Sequence, residues 1–251
     1  MIPTPIHKVL STFQKHGVRA LLMGGQACVL YGAAQFSKDA DFLLLADEEN
    51  FERLRAALKE LQAERIAIPP FDPAHLARGH AVHFRCQHPD APDLRIDLMT
   101  RLRAMPDFQI LWERRVTFAD DTGLDLHLLD VPDLVEAKKT QRDKDWPVIA
   151  LLVDIHYREH GQEPTPERIR FWLGQSRTPE TTLVLVQRFP DEAREMIADR
   201  LFLEAALAGD LAKVRDGLKE EELRDRQRDR EYWAPLKAEM ETFRRAERSR
   251  E

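Results

Sequence analysis

Two aspartates one residue apart, Asp39 and Asp41, follow a glycine pair, Gly24 and Gly25, with thirteen residues between Gly25 and Asp39. Side chains in a strand alternate faces, so both carboxylates project to one side, about 6.5 to 7 Å apart along the chain. That spacing lets both reach one pair of metal ions. Two magnesium ions held about 4 Å apart can clamp the attacking and leaving oxygens of a phosphoryl displacement, and magnesium prefers hard oxygen ligands. A Gly-Gly turn between strand and helix bares backbone N–H groups and admits a phosphate without a Cβ clash, beside a helix N-terminus where anions are favoured. A third carboxylate, Asp97, sits in the alternating run Leu94, Arg95, Ile96, Asp97, Leu98, Met99. An aspartate in mid-strand is costly to bury without a cation or donors, and metal coordination supplies the reason.

The elements that must carry these residues follow from periodicity. Ile6, Val9, Leu10 and Phe13 recur at helical spacing with Gly17 as a stop, which predicts an opening amphipathic helix. Residues 18–23 read as a strand ending at the glycines, 27–34 as a short helix and 39–45 as a second strand. Asp47 can cap a helix that begins near Glu48 and carries the stripe Phe51, Leu54, Leu58 and Leu61. Three prolines and a glycine mark residues 66–79 as a loop. Two strand-like runs follow, 81–86 and 94–99, joined by a hairpin loop; 116–118 and 124–129 add further strands. From Val131 the pattern is helical almost to the end, and from Lys213 it is so rich in Glu, Arg and Lys that a long exposed helix with a frayed tail is expected. The fold class is therefore α/β with a mixed sheet, a catalytic domain over residues 1–130 followed by a C-terminal helical domain over 131–251. No repeat of 20 to 50 residues is present.

Gly-Gly, a short helix, Asp-x-Asp and a later hydrophobic-Asp-hydrophobic strand together resemble the signature of the DNA polymerase beta-like nucleotidyltransferase superfamily. Gly24-Gly25-Gln26-Ala27, Tyr31-Gly32 and Ser37-Lys38-Asp39-Ala40-Asp41-Phe42 look most like its minimal nucleotidyltransferases and abortive-infection type toxins. The resemblance covers about residues 18 to 150 and implies the nucleotidyltransferase fold. It also implies two magnesium ions, with manganese as the alternative, on Asp39, Asp41 and Asp97, the first two holding both ions and Asp97 the one that activates an acceptor hydroxyl. Gly24, Gly25, Gln26 and Ser37 would hold the phosphates of a nucleoside triphosphate. Gln26 departs from the family, in which many members place Ser directly after the glycines. The block from Asp133 to Lys139 and Arg142-Asp143-Lys144-Asp145 are similar to a family segment with a lysine and Arg-x-x-Asp, which implies Arg142 and one of Lys138 and Lys139 near the triphosphate. The implied activity is transfer of a nucleoside monophosphate to an RNA 3′ end, a protein or a small molecule, with a tRNA-directed toxin and a cognate antitoxin protein as the toxin branch's version. The alternative is a catalytically silent nucleotide-binding regulatory module of the same fold.

The bulk composition limits other classes. At 251 residues, 43% hydrophobic and 33% charged, the chain suits one core plus a small second domain. A net charge of −6 argues against a protein that simply coats nucleic acid, so any such contact must be local. Arg101 and Arg103, Arg114 and Arg115, and residues 138–144 supply local basic clusters. Met1-Ile2-Pro3-Thr4-Pro5 lacks the features of a signal peptide, no apolar run reaches membrane-span length, and the two cysteines read as reduced, so a cytoplasmic protein is expected. His80, His83, Cys86 and His88 invite a zinc reading, but strand alternation turns His80 and His83 to opposite faces. The four tryptophans read as packing anchors.

Overall fold

The computed structural model describes residues 4–248. The reading of the first residues as lacking a signal peptide and the expected frayed tail at the end fall in part on residues 1–3 and 249–251, outside that range. The chain divides into two compact units. The first comprises residues 4–30, 34–137 and 232–248, and the second residues 31–33 and 138–231. The division falls in the last turn of the helix that follows the sheet, not at residue 130, and the final helix contributes its end to the first unit.

The first unit is a seven-stranded mixed sheet, ordered β3-β4-β5-β2-β1-β7-β6, with helices. Its elements are α1 (Thr4–Lys15), β1 (Ala20–Met23), α2 (Gly24–Leu30), β2 (Asp39–Leu44), α3 (Glu48–Glu60), β3 (Glu64–Arg65), α4 (Pro73–Ala77), β4 (Val82–Arg85), β5 (Arg95–Met99), α5 (Phe108–Arg114), β6 (Val116–Ala119), β7 (Asp125–Leu128) and α6 (Val131–Lys138). β1 pairs antiparallel with β2 and parallel with β7, and β2 pairs parallel with β5. β4 joins β5 in an antiparallel hairpin.

Alternation explains the core. Ala40, Phe42 and Leu44 of β2, Ile96 and Leu98 of β5, and Val82 and Phe84 of β4 are buried, while Asp39 and Asp41 of β2 and Arg95, Asp97 and Met99 of β5 alternate with them as half-buried positions. α1 buries Ile6, Val9, Leu10 and Phe13, and the Phe13 ring lies 4.8 Å from that of Phe42. Asp47 caps α3 as expected, accepting from the Asn50 N–H at 2.7 Å. Asn50 is itself buried: its Oδ1 accepts from the Arg19 N–H at 2.7 Å, and its Nδ2 donates to the Arg19 and Leu45 carbonyls at 3.0 and 2.9 Å. One side chain thereby ties the start of β1 to the end of β2.

Local expectations and structure differ in three places. The first helix after β1 begins at Gly24 itself, so the glycines open the helix, and it ends by Leu30 ahead of Gly32 at φ +75°. The segment 66–79 is not all loop, because Asp72 accepts from the Ala74 N–H at 2.7 Å and Pro73 suits a first helical position, which nucleates α4. α5, unforeseen, follows the loop after β5.

The second unit is helical, with α7 (Asp145–His160), α8 (Pro166–Gln175), α9 (Pro179–Arg188), α10 (Pro190–Glu195), α11 (Phe202–Leu207) and the first part of α12 (Leu211–Arg248). Trp172 is fully buried and donates to His156 Nδ1 at 2.8 Å. Arg200, buried, donates to Glu221 and to the Leu173 and Ser176 carbonyls, which satisfies a guanidinium that burial would otherwise make costly. Among the described residues no helix is long and apolar enough to cross a membrane.

Candidate active site

The parallel pairing of β2 and β5 sets Asp41 directly across from Asp97, and Asp39 across from Arg95. Met23 of β1 and His83 of β4 extend the first row, so Met23, Asp41, Asp97 and His83 stand side by side on four strands. Asp39, Arg95 and Arg85 form the next row. Adjacent strands lie about 4.8 Å apart, so three carboxylates share one patch of sheet face with two guanidiniums and an imidazole.

Each carboxylate has its own setting. A Cβ built on Gly24 would lie 1.9 Å from Asp41 Oδ2, so the carboxylate occupies the space that only glycine leaves. A Cβ on Gly25 would lie 2.5 Å from Ser37 Oγ, and that hydroxyl donates to the Asp39 carbonyl at 3.0 Å. The structure thus brings Gly24, Gly25, Ser37, Asp39 and Asp41 together. Gln26 lies inside α2 at 2% exposure.

Asp97 is held by two neighbours. Arg95 Nε donates to its Oδ1 at 2.7 Å, and His83 Nδ1 lies 2.7 Å from the same oxygen. Arg95 Nη2 is also 3.0 Å from His83 Nδ1. A guanidinium can only donate, so Nδ1 cannot both accept from Arg95 and donate to Asp97. The shorter contact, to a carboxylate, is the bond, with Nδ1 protonated. Burial alone would raise the Asp97 pKa, but the hydrogen bonds from His83 and Arg95 outweigh it and hold the carboxyl below its ordinary value. The Asp97 hydrogen bond, with the fields of Asp97, Asp39 and Asp41, raises the Arg95 pKa further above neutrality.

The donor set, three carboxylates, suits a hard divalent cation. Among the described residues, however, no three His, Cys, Asp or Glu side chains are gathered to hold a metal ion, and the Asp97 bonds show why: its Oδ1 is directed at His83 and Arg95. Sequence reasoning passed over Arg95 and gave His83 no role beyond the zinc reading it set aside. The signal for Arg95 was its place two residues before Asp97, on the same face; that for His83 needed the hairpin register. His80, His83 and His88 go to different partners: Glu239 at 2.7 Å, Asp97, and the Asp90 N–H at 3.1 Å. The Cys86 thiol is buried and pushed up to about 11 by that burial.

The basic residues expected near a triphosphate lie in the second unit, where Asp145 gathers two of them. This buried carboxylate accepts from Lys138 Nζ at 3.1 Å, Arg142 Nε at 2.7 Å and the Thr140 hydroxyl at 2.5 Å. Lys139 is buried; burial alone would raise the Glu221 pKa, but Arg200 and Arg177, with a smaller contribution from the Lys139 charge, hold it below its ordinary value.

No family model matches the sequence, and no curated protein matches it. Two solved structures are similar in fold. One is the antibiotic-resistance factor ANT(2″)-Ia, at 13% identity and a TM-score of 0.37, over 78% of this chain and 95% of that one. The other is an H. pylori protein assigned as a nucleotidyltransferase, at 14% identity and a TM-score of 0.40, over 90% of this chain and 93% of that one. At such identities the site is read from its own residues.

Proposed function

We propose that this chain is a magnesium-dependent nucleotidyltransferase of the DNA polymerase beta-like fold, which moves a nucleoside monophosphate from a nucleoside triphosphate to an acceptor hydroxyl and releases pyrophosphate. The observation that carries the reading is the cross-strand pairing of Asp41 with Asp97, one row from Asp39, with Gly24 closed beneath the Asp41 carboxylate. A sheet face that concentrates three acids beside two glycines has little structural purpose, since like charges in proximity destabilise the fold unless a cation joins them.

Asp39 and Asp41 hold the magnesium, or manganese in its place, that escorts the triphosphate. Such an ion supplies charge neutralisation of the phosphates and polarises the reacting phosphorus. The Asp41 carboxylate and the Ser37 hydroxyl fill the space left at Gly24 and Gly25, so phosphates would be met by the backbone N–H groups of Gly24, Gly25 and Gln26 in the first turn of α2 and by the Ser37 hydroxyl, rather than by the buried Gln26 amide. Asp97, kept ionised by His83 and Arg95, accepts a hydrogen bond from the acceptor hydroxyl and orients it. The acceptor oxygen then bonds to the α-phosphorus as the bond to the pyrophosphate oxygen breaks, and the hydroxyl proton leaves to the carboxylate.

RNA 3′ ends, proteins and small molecules are the acceptor classes, and a tRNA-directed toxin with an antitoxin partner is the first to test, by analogy. Each α-labelled triphosphate is incubated with total cellular RNA or protein, with and without magnesium. Label that appears on one acceptor only with magnesium, and is lost in Asp41→Asn, supports the reading. A second reading, a silent nucleotide-binding regulatory module, is favoured by the engagement of Asp97 with Arg95. Tight nucleotide binding without transfer to any acceptor would establish it.

A further inference from the structure

This inference rests on the reading above and concerns how many metal ions the site holds. Arg95 stands across from Asp39 in the β2–β5 register and bonds through Nε to Asp97 Oδ1 at 2.7 Å. It lies two residues from Asp97 on the same strand face, so the contact follows from backbone alternation and survives any motion that leaves β5 intact. A guanidinium stays charged at every pH at which the protein folds.

We propose that Arg95 is the resident second cation of this site, and that the chain accordingly binds one divalent ion, at Asp39 and Asp41, rather than two. A divalent ion shared between Asp41 and Asp97 would sit about 2 Å from a carboxylate oxygen that already carries the guanidinium. The two positive charges would then be about 4 Å apart, where their repulsion is strong at the dielectric of a half-buried sheet face. The His83 imidazole closes the same Asp97 oxygen from the other neighbouring strand. Two protein donors therefore occupy Oδ1 of Asp97, both from strands of the central sheet, and an ion placed on the other oxygen, Oδ2, would still share one carboxylate with the guanidinium and meet its repulsion. With Asp97 neutralised by the protein, the acceptor side of the site is formed before any metal arrives, and only the triphosphate side waits for the ion.

Manganese bound to the full chain is counted by electron paramagnetic resonance, with and without α,β-methylene ATP. The wild type is expected to hold one magnetically isolated ion per chain in both conditions, and a spin-coupled pair would overturn the proposal. Arg95→Met frees Asp97 and is expected to admit a second ion coupled to the first; a folded Arg95→Met protein that still holds a single ion also overturns it. Should Arg95→Met not fold, Asp97→Asn decides: it should leave the affinity for the single ion within about twofold, because Asp97 is not among its ligands, whereas a tenfold weakening sinks the proposal. Wild-type protein that binds no manganese at all would instead remove the nucleotidyltransferase reading, and this inference with it.

Discussion

Gly24 and Asp41 are fitted to each other: the carboxylate Oδ2 lies 1.9 Å from the position a Cβ on Gly24 would take, and Gly24 itself has φ +67°. Gly24→Ala therefore has to displace Asp41 as well as force a left-handed alanine, which alone costs about 1 to 2 kcal/mol. The variant is expected to melt several degrees lower and to bind manganese at least tenfold more weakly, read by calorimetry and titration on one preparation. Wild-type metal affinity in a folded Gly24→Ala protein would separate the glycine from the site.

Asp41→Asn and Asp97→Asn should fail differently. On the proposed reading, loss of Asp41 would remove a ligand of the ion that escorts the triphosphate, so nucleotide binding and transfer should fall together. Loss of Asp97 should leave nucleotide affinity within a few-fold while transfer drops by about 10²- to 10⁴-fold, the mark of an interaction made chiefly in the transition state. Calorimetric titration with nucleotide and a transfer assay on each variant test this. Equal loss of binding in both would place Asp97 in the shared binding site.

Asn50 has a structural role that can be measured without any substrate. Its three hydrogen bonds to Arg19 and Leu45 backbone groups are buried, and Asn50→Ala would strand those groups. A loss of about 2 to 4 kcal/mol is expected in urea unfolding. A loss under about 0.5 kcal/mol would show that water replaces the amide.

Asp133 predicts a pH dependence of opposite sign to the usual carboxylate. Burial first, then neighbouring Asp130, raises its pKa to about 7, against the opposing pull of Arg114, whose Nη2 donates to Oδ1 at 2.8 Å. Between the unfolded carboxylate value and 7 the native state holds a proton that the unfolded chain has lost, so this contribution to stability is full at low pH and is lost as pH rises through the folded pKa. Replacing Asp133 by Asn removes that titration. Relative to wild type, the variant should gain stability between pH 5 and 8, on the order of 1 to 3 kcal/mol across the window. A difference that does not change with pH would mean that Asp133 is already ionised at pH 5.

The elements around the site were legible because their signals are local. Period-two alternation put Asp39 and Asp41 on one face of their strand and Asp97 at a half-buried position of its own, and Asp47 marked the start of α3 one residue before Glu48. What eluded sequence reasoning depends on register. Nothing near Asp97 states that Asp41 lies opposite it, and the His83 contact follows from the length of a hairpin loop that the chain alone leaves open. α4 hid behind prolines that normally end helices, although Asp72 and Pro73 begin one here. Lys138 and Arg142 were assigned by resemblance to a phosphate, yet Asp145 gathers both across the turn between α6 and α7, of which only the i,i+3 spacing of Arg142 and Asp145 was visible in the sequence. The return of residues 232–248 to the first unit has no local signal at all.

The pairing of β2 with β5 has a consequence for when the site can exist. Asp41 and Asp97 are 56 positions apart in the chain, and their strands pair directly in parallel, which requires the intervening residues to close as a loop. A nascent chain that has delivered β1, α2 and β2 already displays Asp39 and Asp41, but it lacks Arg95 and the acceptor-side carboxylate. On the proposed reading, no chain that lacks β5 can carry out transfer, because Asp97 has not yet been placed beside Asp41. Truncated products that end before Arg95 should accumulate in the cell without transfer activity.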